Sequence, residues 1–222
     1  FLTLPKGNTE ERGRGSRAVF VGGTSGSAID LINIQNTANS TDFGDTVANY
    51  GASAACSSRT RGIIFAGFLA PAESNVIEFI TFSTTGNSQD FGDLTQGRRN
   101  LNGFSSQTRG LAVGGGTQSP ATILNIIDFI TIASAGNATD FGDTVNPISA
   151  DPTAFSSPTR GVIAGGESPS PLNNGVNVIQ FVTIASTGNT TDFGDLTTVQ
   201  SRGDGASSQI RGVIYSGKRH PT

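Results

Sequence analysis

An all-β fold built from stacked repeats is the class the sequence predicts, on three observations. The tetrapeptide Asp-Phe-Gly-Asp occurs four times, starting at Asp42, Asp90, Asp140 and Asp192, at intervals of 48, 50 and 52 residues. An arginine-led apolar run closed by glycine occurs five times, from Arg17, Arg61, Arg109, Arg160 and Arg211. Thirty glycines and a charged fraction of only 14% describe a turn-rich chain, while 35% hydrophobic residues is too high for a disordered one. Self-similarity at a fixed period marks units that bury their apolar faces by stacking on neighbours. A catalytic aspartate is needed once, so the fourfold Asp-Phe-Gly-Asp reads as scaffold.

Each unit of about 48 residues divides into four pieces. The first is a short Gly/Ser stretch, "NGFSSQ", "TAFSSP" or "DGASSQ", which predicts a small inner strand. The second is "RAVFVGG", "RGIIFAG", "RGLAVGG", "RGVIAGG" or "RGVIYSG", a buried strand stopped by a glycine turn. The third is "IDLINI", "IEFITF", "IDFITI" or "IQFVTI", where neighbours such as Phe79 and Ile80, or Phe129 and Ile130, are both large and apolar. Successive strand side chains point to opposite faces, so this strand must be covered on both. The fourth follows a polar link and is expected to be an Asp-Phe-Gly-Asp turn leading into a last strand.

Four short strands per unit predict the blade of a β-propeller, with a β-solenoid as the competing architecture. Because the second piece occurs five times and the third four, five blades are expected, the last incomplete and helped by the N-terminal "FLT" strand; four blades are the alternative. Residues 1–217 form the single expected domain and 218–222 a C-terminal tail. An unfilled sheet edge would invite pairing with another chain.

Net charge is -3, with no basic face to attract nucleic acid. No apolar run reaches the length of about 18 residues needed to cross a bilayer as a helix. The lack of methionine reads as a processed or partial chain. The single cysteine, Cys56, stands in the repeat column of Phe104, Phe155 and Ala206, which predicts a buried apolar role.

The Gly-Gly strand, the "IxFxTI" strand and the later arginine link resemble a degenerate kelch repeat lacking its usual Tyr and Trp markers. Ser40-x-Asp42-x-Gly44-x-Thr46 is similar to the Asp-box of sialidase-type propellers, in which the aspartate holds a structural hairpin. Across nearly the whole chain, "FVTIASTGNTTDFGDLT" followed by "SS-x-TRG" resembles repeat proteins of tailed bacteriophages of aquatic bacteria. That resemblance implies a non-enzymatic virion structural or tail-fibre component on the virion surface, hence extracellular. Its partners would be other virion proteins or copies of itself, and a host surface glycan or protein. Neither nucleic acid binding nor membrane insertion is implied.

The chemical inventory agrees with that expectation. The lone His220 lies in the expected tail, and one His, two Tyr and one Cys cannot assemble the copper ligands of a kelch oxidase. Arg61, Arg109, Arg160 and Arg211 read as one structural device per blade, each pairing with an Asp-box or link carboxylate. No cofactor is expected; calcium at the paired aspartates is the one alternative to aspartates that accept local backbone hydrogen bonds. Arg202-Gly203-Asp204 spells an adhesion tripeptide by coincidence of composition, and the sequons at Asn39, Asn137 and Asn189 read as turn asparagines. The copies differ most in their links, so recognition is assigned to loops, with Tyr50, Arg98, Arg99, Asn100 and Asn102 as ligand-binding candidates.

Overall fold

The structure, a computed structural model, describes residues 16–21, 26–148, 152–168, 174–208, 210–215 and 217–219. Every regular element among them is a β-strand and all pairing is antiparallel. The first sheet runs β1 (Arg17–Val21), β2 (Ala28–Asn33), β3 (Thr41–Asp45). The second begins with β4 (Ala54–Ser57) and β5 (Arg61–Phe65); a small hairpin, β6 (Phe68–Leu69) and β7 (Ala72–Glu73), precedes β8 (Val76–Thr81) and β9 (Gln89–Asp93). The third repeats this plan with β10 (Asn102–Ser105), β11 (Arg109–Val113), the hairpin β12 (Gly116–Gln118) and β13 (Ala121–Ile123), then β14 (Ile126–Thr131) and β15 (Thr139–Asp143). The fourth comprises β16 (Thr153–Ser156), β17 (Arg160–Ala164), β18 (Glu167–Ser168), β19 (Asn174–Thr183) and β20 (Thr191–Ser201). A two-stranded sheet of β21 (Asp204–Ser207) and β22 (Gly212–Tyr215) follows, and β23 (Lys218–Arg219) returns to pair with β20.

Within a complete sheet the order is that of a meander, as in β4-β5-β8-β9 and β10-β11-β14-β15. A serine sets the first turn: Ser58, Ser106 and Ser157 each accept on Oγ from the backbone N–H of the arginine three residues on, at 3.2, 3.1 and 3.1 Å. Such a hydroxyl mimics a backbone turn acceptor, which is why "SSxTR" recurs where strand one reverses into strand two.

The Asp-Phe-Gly-Asp segment corrects the expectation of a turn. It lies inside β3, β9, β15 and β20 as a β-bulge: Ile29 faces Gly44 and Asp30 faces Asp42, which leaves Phe43 as the extra residue. The same shift recurs at Phe91, Phe141 and Phe193. Gly44, Gly92 and Gly142 take φ near 149, 144 and 142°, a region that suits glycine and is costly for other residues.

The core lies between sheets, as the two-sided apolar strands require. Ile29 and Phe43 pack on Ile64 and Ile80; Ile63 and Phe91 on Ala112, Ile130 and Ile132; Leu111 and Phe141 on Ile163, Val182 and Ile184. Inner strands touch in sequence, β4 to β10 to β16 to β21. Among the described residues no strand pairing joins the first sheet to the last. Within the expected tail, Lys218 and Arg219 pair with Ser201 and Gln200. The "FLT" strand and His220 lie outside the described residues.

Candidate functional surface and the junctions behind it

The repeated residues prove to be the connectors between sheets. Arg17, Arg61 and Arg109 each send Nη1 forward to a backbone carbonyl of the next sheet, Phe82, Ile132 and Ile184, at 2.5, 3.0 and 3.0 Å. Within its own sheet the guanidinium also lies over a phenylalanine ring: Arg61 over Phe79 at 4.6 Å, Arg109 over Phe129 at 4.9 Å and Arg160 over Phe181 at 4.3 Å. The expected pairing of these arginines with carboxylates is therefore replaced by carbonyl and aromatic partners. Guanidinium heads suit both, being planar and more weakly hydrated than an ammonium.

Three further devices act in the opposite direction. Asn87, Asn137 and Asn189 accept on Oδ1 from the backbone N–H of Asp45, Asp93 and Asp143 in the preceding sheet, at 3.0, 3.1 and 3.0 Å. The Gly-Asn turn lies so close to the bulge that a Cβ on Gly44, Gly92 or Gly142 would meet the backbone of Gly86, Gly136 or Gly188 at 2.4, 2.5 or 2.6 Å. Along the inner edge, Ser105, Ser156 and Ser207 donate Oγ–H to the carbonyls of Ser57, Ser105 and Ser156, at 2.6, 2.7 and 2.7 Å. The glycines after Arg109, Arg160 and Arg211 make room for strand one of the preceding sheet: a Cβ on Gly110 would meet Cys56 Sγ at 2.8 Å, and one on Gly161 or Gly212 would strike the Phe104 or Phe155 ring.

The aspartates of the repeat stay local. Asp42, Asp90, Asp140 and Asp192 are all exposed, and Oδ1 of Asp140 and of Asp192 accepts from the N–H of Gly142 and Gly194 at 3.1 Å. Among the described residues no three metal-ligating side chains gather. Arg211 is exposed, and its N–H bonds Ser208 Oγ at 3.1 Å. Asp204 of the Arg-Gly-Asp triplet is engaged by its own sheet, accepting from the Gly205 N–H at 2.7 Å and the Tyr215 hydroxyl at 3.3 Å.

Sequence reasoning missed one column. Glu78, Asp128 and Gln180, the polar residue of strand three, are buried and cap the backbone just after the preceding bulge. Glu78 Oε2 accepts from the Val47 N–H at 3.2 Å and from the Ser88 hydroxyl; Asp128 accepts from Thr95 N–H and Oγ1–H at 3.1 and 2.7 Å; Gln180 Oε1 accepts from the Val145 N–H at 2.9 Å and the Thr190 hydroxyl at 2.5 Å. A polar residue held between large apolar neighbours in every copy was the signal.

The five loop candidates fall into this framework. Arg98 is fully buried and sends Nη1 to Asp128 Oδ2 at 2.7 Å, Nε to the Gly114 carbonyl at 2.9 Å and Nη2 to the Ala112 carbonyl at 3.2 Å. Tyr50 is buried too, and burial, with Glu78 beside it, holds its hydroxyl well above the ordinary pKa. Asn102 donates Nδ2–H to the Pro152 carbonyl at 2.6 Å, and the Asn100 N–H reaches Ala52 O at 3.1 Å. Arg99, partly exposed like Asn100 and Asn102, lies 5.3 Å from the Phe68 ring centroid and 3.6 Å from Glu73 Oε1. Beside it the hairpins β6–β7 and β12–β13 stand together, joined by the Gln118 N–H to Glu73 Oε1 at 2.8 Å. Leu69, Pro71, Gln118 and Pro120 are exposed along them. Neither the protein-family models nor the curated proteins contain a match to this chain.

Proposed function

We propose that the chain is a non-enzymatic bacteriophage virion component, a tail-fibre or other exposed adhesion module, which contacts a host surface glycan or protein. In this reading the sheets are kelch-like propeller blades, five with the last incomplete, displayed on the virion surface. The observation that carries it is the division of labour within each unit. Repeated arginines, asparagines and inner-strand serines lock one sheet to the next, while the hairpins β6–β7 and β12–β13, which differ in length and sequence, stand side by side as an exposed ridge. A rigid scaffold carrying variable loops is how binding surfaces are commonly built. Exposed Gln118 and the partly exposed Arg99–Phe68 pair offer hydrogen bonds and a stacking face, the chemistry a sugar ring takes.

Labelled, purified protein is mixed with candidate bacterial cells and with free envelope polysaccharide as competitor. Saturable binding that the polysaccharide displaces supports the reading. Failure to bind any plausible host would turn the assignment to a second role, assembly with neighbouring subunits, which the exposed apolar end face at Phe193 favours.

A further inference from the structure

Two sheets of the chain are partial in complementary ways. β21 and β22 occupy the first and second strand places of a fifth sheet, and among the described residues nothing occupies the third and fourth. The first sheet holds second, third and fourth places as β1, β2 and β3.

The face left uncovered on the fourth sheet is the one every earlier sheet buries. Phe193 is 57% exposed, whereas Phe43, Phe91 and Phe141 at the same bulge are 3, 3 and 2% exposed. Val213 is 66% exposed, against 0% for Ile63 and Leu111. A cleft of about 470 Å³ opens beside Phe193, lined by Phe155, Arg160, Val162 and Ile214 among others. Arg160 is exposed, and a Cβ on Gly194 would meet nothing where the equivalent glycines are pressed by the next sheet.

The opposite end carries the matching halves. Ile34 is 64% exposed, while Ile132 and Ile184, whose carbonyls receive the forward arginines, are 1% exposed. Asp30 and Asn39 are exposed, in the columns of Asp128 and Asn137 that grip the preceding sheet.

We propose that these two ends bind each other between copies of the chain: β2 and β3 of one copy complete the β21–β22 sheet of another, with β22 taking the place of β1. The resulting order, β21-β22-β2-β3, reproduces β4-β5-β8-β9. The register follows from the one β1 already uses, Arg17 opposite Asn33 and Val19 opposite Leu31, so Arg211 comes opposite Asn33 and Val213 opposite Leu31. Exchanging β1 for β22 replaces one arginine-led ladder by another, and the net gain is burial of Phe193, Val213 and Ile34. Such a head-to-tail contact closes a ring or extends a fibre. The inference rests on the assembly reading and is independent of any host ligand.

The test uses the full chain in a Cys56→Ala background. Val213→Cys and Leu31→Cys proteins, mixed and oxidised, are expected to give a disulfide-linked heterodimer; Val213→Cys with Asp30→Cys, one residue out of register, is not. Phe193→Asp, at an exposed position, is expected to leave melting unchanged and weaken self-association in sedimentation by about tenfold or more. A wild-type chain that sediments as a monomer at every concentration overturns the proposal. So does association indifferent to Phe193→Asp, cross-linking without preference for register, or a disulfide that closes within a single Val213→Cys/Leu31→Cys chain.

Discussion

Replacing Arg98 by methionine is the sharpest probe of the junctions. The guanidinium is fully buried, 2.7 Å from an Asp128 carboxylate that is itself 1% exposed, and it also serves the carbonyls of Gly114, Ala112 and Gln96. Methionine fills comparable space, so the loss is electrostatic. Asp128 retains its two bonds from Thr95 but loses the Arg98 guanidinium, and stranding one partner of a buried ion pair costs about 3–5 kcal/mol. At about 2–4 °C per kcal/mol for a chain of this size, the midpoint should fall by about 6–20 °C. The assay is thermal unfolding followed by circular dichroism, with Arg98→Met, Asp128→Asn and the double variant in one cycle. Neutralising the carboxylate should recover at least about half of the Arg98→Met loss, since the two side chains form a single unit. A midpoint for Arg98→Met within about 2 °C of the parent, with no recovery in the double variant, would refute the reasoning.

Other outcomes follow from the same junctions. Gly92→Ala, whose Cβ would meet Gly136 backbone at 2.5 Å, should destabilise by about 2 kcal/mol more than Gly194→Ala, which meets nothing; equal losses in urea titrations would show that only backbone strain matters. Arg109→Ala should cost about 1–2 kcal/mol through its Ile184 carbonyl and Phe129 ring, and Arg160→Ala about 1 kcal/mol less, a ranking that melting midpoints can reverse. Glu78→Gln installs the residue that Gln180 already uses in this column and removes a buried carboxylate whose Oε1 makes no hydrogen bond within normal geometry among the described residues, so stability at neutral pH should rise; a lowered midpoint argues against it. The Cys56 thiol, pushed up to about 12 by desolvation and only partly relieved by Ser105, should react slowly with thiol reagents at pH 8 although the residue is only half-buried, and rapid labelling would contradict the raised pKa.

Much of this architecture is legible in the chain because strand two announces itself. Arg17, Arg61, Arg109 and Arg160 each begin a strand, and the apolar third pieces become β2, β8, β14 and β19. The bulge was not legible, since a glycine between aspartates has the same composition whether it turns the chain or kinks a strand. Nor were the arginine partners: carboxylates are visible in a sequence, whereas the carbonyls of Ile132 and Ile184 belong to every residue and acquire a role only through packing. Arg98 looked like a loop cation because its partner, Asp128, lies thirty residues away in the next sheet. The buried column of Glu78, Asp128 and Gln180 could have been read from the repeat alone, by asking why a polar side chain sits between two that must be covered.

In the proposed function the scaffold locks sheets together while the exposed hairpins do the recognising. The most direct measurement is binding of a Leu69→Glu/Gln118→Ala protein to a host that the parent binds, with melting recorded on the same sample. Both side chains are exposed on neighbouring hairpins, so the account predicts an unchanged midpoint and binding weakened by about tenfold or more. Undiminished binding with an unchanged midpoint would contradict it.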